Sequence, residues 1–554
     1  MPSWIASRRT ILPSRADYRG LSRSWRADVI AGITVGVVAM PLALAFGVAT
    51  GLGARAGLVT AIVAGLVAAV FGGSNVQVSG PTGAMTVVLV PIVARHGTDA
   101  VLVVAIMAGA LIVAAGLAGL GRFLAYVPWP VIEGFTVGIA CIIFLQQVPA
   151  ALGVPKPDAE NTLAAAVRAV AEAIDGAGSV ESIMITITVI VIMVATPRLH
   201  RSAPASLIAV VVATVITSGT TLDVAVIGTL PNSLPMPSLP STSVDEVRTL
   251  FGAAVAVAML AAIESLLSAR VADGMSGHSR HDPDRELIGQ GLANLASPLF
   301  GGMPATGAIA RTAVNVRAGA HTRVAAVVHA LMLAVIVYVG GSVMARIPLA
   351  ALAGVLMVTA VRMVERHNVR AVLRATRSDA VVMVITATVT LAADLILAVE
   401  VGVAVAAVLA LRQIARTTAA HSERVPSADD GDADRAALAD HIAIYRFDGA
   451  IFFGAAQRFL TELTSVSDVR VVIMRLDDVQ VLDATGAHAL GEIVSELQDR
   501  RITVLICSAR AEHQRTLRAV GAIDRLVHHR HLFADLESAI EHAHVHVERV
   551  VTTS

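Results

Sequence analysis

A polytopic α-helical membrane protein that ends in a small soluble α/β unit is the fold class this sequence predicts, on three observations. The 554-residue chain is 55% hydrophobic and only 15% charged, and its mean hydropathy of +0.73 is far above that of an ordinary soluble domain. From Val29 to Leu411 apolar runs follow one another with scarcely a pause. Beyond Leu411 charge density rises, and short apolar strands alternate with helical stretches. The formal net charge of +0, with basic residues scattered through short loops, gives no reason to propose nucleic acid as a partner.

Residues 1–27 are polar and basic, with Arg8, Arg9, Arg15, Arg19, Arg23 and Arg26, and no short apolar segment with a small-residue cleavage site suggests a removable signal peptide. The positive-inside rule puts this end in the cytoplasm. Apolar runs at 28–48, 55–72, 82–95, 99–120, 128–150, 181–197, 204–220, 250–270, 286–300, 307–318, 321–345, 349–364, 378–393 and 395–413 read as fourteen spans. Several fall short of the roughly 20 residues needed to cross alone. An even count returns the chain to the cytoplasm, which also suits the arginines at 362–377.

Within the run FGAAVAVAMLAAIESLLSAR a carboxylate, Glu264, stands in mid-helix with Ser265 and Ser268 beside it. A charge at the bilayer centre costs roughly 2.5–3.5 kcal/mol even on permissive scales, so Glu264 is expected to face protein or water. The two shortest segments, NVQVSGPTGAMTVVLV and GGMPATGAIARTAVNV, share a pattern: extended residues, a small polar stretch, T-G-A, then a helix. Thr82 and Thr306 are each expected to cap a half-helix, with Pro81 preset for an early helical turn. Interrupted helices survive at membrane depth only where they line a cavity. A matched pair of them marks a transporter's substrate site, where N-terminal dipole ends and free N–H groups meet an anion.

The segments PLALAFGVATG, QVSGPTGAMTVV, AAIESLLSARVADGMSG, ELIGQGLANLASPLFGGMPATGAIARTAVNVRAG and, in the tail, FDGAIFFGAAQRF together resemble the SulP-type anion transporters, relatives of the animal anion exchangers that include prestin. The resemblance covers nearly the whole chain. It implies fourteen spans in two inverted repeats of seven, arranged as a core domain that holds the substrate and a gate domain against which it moves. It places the substrate pocket at Ser79, Thr82, Gly83, Ala305, Thr306, Gly307 and Ala308, closed by the first span at Pro41 and Ala43. In sodium-coupled bicarbonate members, an acidic and a hydroxyl residue four positions apart on the eighth span help bind the cation; here they correspond to Glu264 and Ser268. Where those members have Asp and Thr this chain has Glu and Ser, so the coupling ion, sodium or a proton, stays open. Dicarboxylate-transporting members carry a Glu in a similar A-I-E-S-L-L context, which leaves the substrate open as well.

Arg311, five residues past Thr306, is expected about a turn and a half below the pocket floor, either raising local anion occupancy or pairing for packing. Glu133, Asp394 and Glu400 lie near prolines or span ends and read as caps and interface pairs. His278, His281, Asp282 and Asp284 read as a solvated loop rather than a metal cluster. Neither Cys141 nor Cys507 offers a disulfide framework. No P-loop, H-E-x-x-H or G-x-S-x-G motif is present, and nothing assembles a nucleophile, base and oxyanion site, so an enzyme is not expected.

The expected division is a cytoplasmic segment at 1–27, a transporter domain at 28–413, a linker at 414–437 with the acidic PSADDGDADR, and an α/β domain at 438–554. IAIYRFDG, VRVVIMRL and ITVLICS read as its buried strands. The tail resembles a STAS domain, in which a serine follows the Asp of a D-S-x-G turn; here the turn is Asp483-Ala484-Thr485-Gly486, with alanine at the phospho-acceptor position. His528, His529 and His531, and His542, His544 and His546, invite a metal, but the second set alternates at strand spacing and is read as no site. The expectation is a multi-pass inner-membrane secondary transporter, both termini cytoplasmic, that moves a small oxyanion coupled to a proton or sodium. It is expected to be a homodimer, to need no cofactor beyond that Na+, and to offer its tail to a cytoplasmic partner. The alternatives are a dicarboxylate symporter, or an uncoupled channel or sensor.

Overall fold

The computed structural model describes residues 13–18, 20–122, 128–157, 159, 161–200, 203–220, 222–228, 233, 235–239, 244–276, 280–392, 395–417, 419–423, 441–451, 469–526 and 531–551. It divides into two units, Met1–Val403 and Ala404–Ser554.

Every stretch read as a span falls on a helix. In the first half these are α1 (Leu21–Ala49), α2 (Ala54–Phe71), a two-residue strand β1 (Ser79–Gly80), α3 (Gly83–Leu117), α4 (Trp129–Gln146) with its continuation α5 (Val148–Leu152), the amphipathic α6 (Thr162–Glu172), α7 (Val180–Leu199) and α8 (Ala205–Gly219). The second half holds α9 (Val244–Ser276), α10 (Pro283–Leu299), strand β2 (Thr306–Gly307), α11 (Ile309–Arg317), α12 (Val324–Met344), α13 (Leu349–Met363), the amphipathic α14 (Arg366–Ala375), α15 (Arg377–Ala392) and α16 (Leu395–Thr417). α3 covers two predicted spans because Gly97 adopts φ 82°, left-handed backbone that breaks the helix in two. Seven of the described helices are long and apolar enough to cross a membrane on their own. α6 and α14 were not anticipated: neither presents the long apolar run that marks a span.

The packing repeats itself when the chain is halved between α8 and α9. Position by position, α1 matches α9, α2 matches α10, the two parts of α3 match α11 and α12, and α4, α7 and α8 match α13, α15 and α16. α1 packs on α12 as α9 packs on α3, and α7 packs on α13 as α4 packs on α15. One group thus gathers α1–α3 with α9–α12, and a second gathers α4, α5, α7 and α8 with α13–α15. Between helices in lipid there is little hydrophobic drive, so close approach of small residues takes its place. At the α3–α10 contact a side chain on Gly109 would meet the Gly291 carbonyl oxygen at 2.8 Å.

Ahead of α1 the chain is tied down by charge. Asp17 forms a two-pronged pair with Arg285, both contacts 2.8 Å, and lies 3.7 Å from Arg323. Burial alone would raise the Asp17 pKa, but the hydrogen bond from Arg285, with the nearby charges, holds it down at about 2. Asp28, fully buried, accepts from the backbone N–H groups of His321 and Thr322 at 2.7 and 2.9 Å.

The second unit is a sheet in the order β3 (Ala419–Glu423), β4 (Ile442–Ile451), β5 (Val471–Arg475), β7 (Thr503–Cys507), β8 (Leu532–Phe533), with β6 (Val479–Leu482) beside β4. Among the described strands of this sheet only β3 runs antiparallel to its neighbour. Side chains alternate between faces along a strand. Val472, Met474, Val504 and Ile506 therefore meet Leu490, Ile493 and Leu497 of α17 (Ala484–Asp499), while Ile473, Leu505 and Cys507 meet Ala539, Ala543 and Val547 of α19 (Leu536–Val551). α18 (Ala511–Ala519) joins the first layer through Leu517. Asp483 caps α17 by accepting from the Gly486 N–H at 2.7 Å.

α19 overturns the strand reading of His542, His544 and His546. Ala539, Ala543 and Val547, four residues apart, make one helical stripe against the sheet, and that stripe outweighs a five-residue alternation of histidines.

Candidate functional site

The two interrupted segments cross as a miniature antiparallel pair, Ser79 opposite Gly307 and Gly80 opposite Thr306. The pairing extends on one side, where the Ala308 N–H donates to the Val78 carbonyl at 2.9 Å and the Val78 N–H donates to Thr312 Oγ1 at 3.0 Å. α3 and α11 begin directly after these strands. N–H groups at a helix start have no partner within the helix, which is what suits such a start to an anion. Thr82 is the N-cap of α3, its hydroxyl accepting from the Met85 N–H at 3.5 Å. Thr306 is not the cap of α11; that position is Ala308, which supplies no side-chain bond. The second segment spends Thr306 and Gly307 on the strand pair, which delays the helix by two residues.

The spared hydroxyl has another use. Glu264 Oε2 accepts hydrogen bonds from Thr82 Oγ1 at 2.9 Å and from Thr306 Oγ1 at 2.8 Å, and the two threonine oxygens are 3.1 Å apart. One carboxylate oxygen on α9 thus joins both halves of the crossing. Next to it, Ser265 Oγ accepts from the Gly307 N–H at 2.9 Å. An ionised carboxylate only accepts, so both threonine protons point to it; a protonated one can keep Oε2 as the acceptor and gains an O–H donor on Oε1.

A polar stripe on α10 holds the second segment in place. Glu286, Gln290, Asn294 and Ser297 recur on one helical face and all are buried. Asn294 grips Ala305 twice, Nδ2 to its carbonyl and Oδ1 from its N–H, each 2.9 Å. Gln290 Nε2 donates to Ser79 Oγ and to Glu286 Oε1, and Ser297 Oγ donates to the Met303 carbonyl at 2.8 Å. The signal was present in the sequence as polar residues at helical spacing inside an apolar span.

Arg311 lies closer to the crossing than expected. It is the third residue of α11, buried, and its Nη2 donates to the Pro81 carbonyl. Gly80 gives it room: a side chain there would come within 2.6 Å of Nη1. That Nη1 is buried with no hydrogen-bond partner among the described residues, as are both side-chain polar atoms of Gln77. Buried polar groups are nearly always satisfied. Two unsatisfied ones beside a pair of helix starts point to a ligand that the protein itself does not supply. Ile309 and Ala310 are exposed, whereas Gly83, Ala84 and Met85 are buried. Gly83 lies beneath Phe46 of α1 and Ile143 of α4, where an added Cβ would meet both.

With this geometry in view, comparison with known proteins is decisive. Residues 25–386 match the Sulfate permease family, and residues 435–539 match the STAS domain. The chain belongs to the sulfate permease family. YvdB of Bacillus subtilis, which carries a sulfate-transporter name, is 33% identical over 91% of this chain and 95% of its own length. The bicarbonate transporter BicA of Synechocystis is 31% identical over 94% of each. The solved transmembrane domain of a cyanobacterial BicA covers 70% of this chain and 98% of its own, at 30% identity and a TM-score of 0.63. The murine anion transporter Slc26a9 in its inward-facing state covers 98% of this chain at 17% identity and a TM-score of 0.82, a likeness of fold. This is a multi-pass membrane protein of a transporter family, mostly helical, with a STAS domain.

In this permease Ser79, Thr82, Gly83, Ala305, Thr306, Gly307 and Ala308 come together at the crossing with Glu264. Ser268 is one turn further along α9, its Oγ 3.1 Å from Thr312 Oγ1. Pro41 and Ala43 are buried in α1, and the Ala43 carbonyl packs against Gly57 of α2. Glu133 accepts from Trp129 Nε1 and Asn368 Nδ2, both at 3.0 Å, which ties α4 to α14. His281 pairs with Asp273, Asp282 caps α10 and Asp284 accepts from Gly121, so these loop residues have separate partners. His278, Asp394, the Glu400 side chain, the PSADDGDADR linker, His528 and His529 lie outside the described residues. Gln77, Gln290 and Asn294 are polar groups beside the crossing that the sequence analysis did not single out.

Proposed function

We propose that this permease moves a small oxyanion, bicarbonate or sulfate, by secondary active transport, with the anion held between the starts of α3 and α11 and Glu264 carrying the coupling ion. The observation that carries this reading is the Glu264 carboxylate bonded to Thr82 and Thr306 at once. An anion attracted by the N–H groups and by Arg311 meets a second negative charge there. Like charges at this range disfavour each other strongly in a medium of low dielectric. Protonation of Glu264, or a sodium ion beside it, removes the repulsion, so anion and cation bind together. An uncoupled channel would have little use for a carboxylate at this position. Both termini are assigned to the cytoplasmic side of the inner membrane, in keeping with the arginines before α1 and at α14.

The test is uptake into proteoliposomes of radiolabelled bicarbonate, sulfate and succinate in turn, with an inward proton or sodium gradient. Accumulation of one inorganic oxyanion above its equilibrium level, lost when the gradient is collapsed, supports the reading. Uptake that only equilibrates under every gradient overturns it, and accumulation of succinate alone moves the substrate to the dicarboxylates.

A further inference from the structure

Three imidazoles that the transport site does not use converge at the edge of the STAS domain. His531 opens the turn into β8, and His542 and His546 stand four residues apart on α19. Their ring centroids are 5.5, 5.2 and 4.9 Å apart, each pair edge to face. One ring nitrogen from each lies within 4.8 Å of the others. His531 is buried, His542 and His546 are partly exposed, and the buried His542 Nε2 has no hydrogen-bond partner among the described residues. His544, between them on the chain, is not a member of the cluster.

We propose that His531, His542 and His546 form a transition-metal site that fastens the last helix of the STAS domain to its edge strand. The donor set selects the ion. Three imidazole nitrogens, with no carboxylate or thiolate among the grouped ligands, suit Zn2+, Co2+ or Ni2+ and not Mg2+ or Ca2+, which take oxygen ligands. In a tetrahedral site with metal–nitrogen bonds of about 2.1 Å, ligand nitrogens are about 3.4 Å apart, so small side-chain rotations bring the three together. Two histidines one helical turn apart are a ready pair of ligands, because residues i and i+4 share a face. The partly exposed side of His542 and His546 leaves the fourth position to water.

The ion would act where the fold is held lightly. β8 has only two residues, paired to β7 at Leu532 and Phe533, and α19 meets the sheet through Ala539, Ala543 and Val547, flanked by the partly buried Leu536 and Ile540. A metal bridging His531 to α19 makes docking of that helix depend on the ion, and a departing helix uncovers Ile473, Leu505 and Cys507. The STAS domain then reports transition-metal availability through its C-terminal helix.

The test uses the untagged full-length permease in detergent, stripped with a chelator and then titrated with Zn2+ by calorimetry and with Co2+ by visible absorption, Mg2+ being the control. One Zn2+ bound per chain, with Co2+ giving the intense bands of four-coordinate geometry, is the expected result. His542→Gln and His546→Gln should each weaken Zn2+ binding by about tenfold or more, and His544→Gln should leave it unchanged. His546→Cys should retain the site and add a sulfur-to-cobalt charge-transfer band, which separates a lost ligand from a misfolded domain. Absence of saturable Zn2+ binding overturns the proposal, as does a site that survives both glutamine variants or a loss of equal size in His544→Gln.

Discussion

The half-helix that opens α3 and the one that forms α11 carry the same tripeptide, Thr-Gly-Ala, at 82–84 and 306–308, yet the fold uses it in two registers. In the first, threonine caps the helix directly and the first turn is buried under Phe46 and Ile143. In the second, threonine sits in the strand pair, the helix begins two residues later without a side-chain cap, and its first turn is exposed at Ile309 and Ala310. Both hydroxyls still reach Glu264 because the strands are antiparallel, which faces Gly80 with Thr306 across the crossing. The difference separates two tasks. The α3 start is a packed element beside α4 of the second helix group, and the α11 start, with the buried Arg311 in its first turn, leaves Ile309 and Ala310 exposed.

The largest break in that comparison is predicted for Arg311, which only the second half possesses. Arg311→Ala removes a buried charged donor from the Pro81 carbonyl and from the anion's surroundings. Hydrogen bonds to charged groups contribute about 1.5–3 kcal/mol, so equilibrium binding of radiolabelled anion should weaken by about tenfold or more. Arg311→Lys should restore little of it, since an ammonium lacks the planar fork. Binding at parental strength in Arg311→Ala would remove this residue from the site.

Asp17 separates stability from binding. Its carboxyl is held at about 2, below the ordinary 3.8, so its stabilisation of about 2 kcal/mol is fully present above about pH 5 and drains away as pH falls through 2. Asp17→Asn should lower the thermal unfolding temperature at neutral pH, with anion affinity unchanged. A variant as stable as the parent at pH 7 would show that the pair with Arg285 contributes nothing.

Smaller effects distinguish the two threonines. Both Thr82→Ala and Thr306→Ala lose a bond to Glu264 and the contact between the two hydroxyls, and Thr82→Ala loses a cap in addition. The first should therefore cost about 1 kcal/mol more in unfolding free energy, and equal costs would erase the difference in register. Thr306→Ser and Thr82→Ser keep the hydroxyls and lose only a buried methyl, a cost of about 1 kcal/mol.

The helices and the central carboxylate were legible in the sequence because their signals are local. Long apolar runs have few alternatives to spanning helices, and Glu264 in mid-run has few alternatives to an internal site. The T-G-A pair located the crossing, but not its register, because the choice of Thr306 as cap or strand residue depends on pairing with a segment more than two hundred residues away. Gln290 and Asn294 were on view as a polar stripe, yet only the folded chain reveals that they grip Ser79 and Ala305. α6 and α14 escaped a search for apolar runs. The histidines of α19 were misread because five alternating residues suit a strand, while the alanine stripe that makes them helical extends on both sides of them.

The central claim is that one carboxylate, bonded to both half-helices, makes anion movement depend on a cation. Glu264→Gln keeps the shape and the hydrogen bonds to Thr82 and Thr306 through its carbonyl oxygen, but it can neither take up a proton nor neutralise sodium. The most direct measurement is a side-by-side assay of this variant in proteoliposomes: concentrative uptake of labelled oxyanion under a proton or sodium gradient, and exchange of internal for external anion with no gradient. The account predicts that gradient-driven accumulation disappears while anion exchange persists. Accumulation by Glu264→Gln at the parental level would contradict it and leave Glu264 a packing residue.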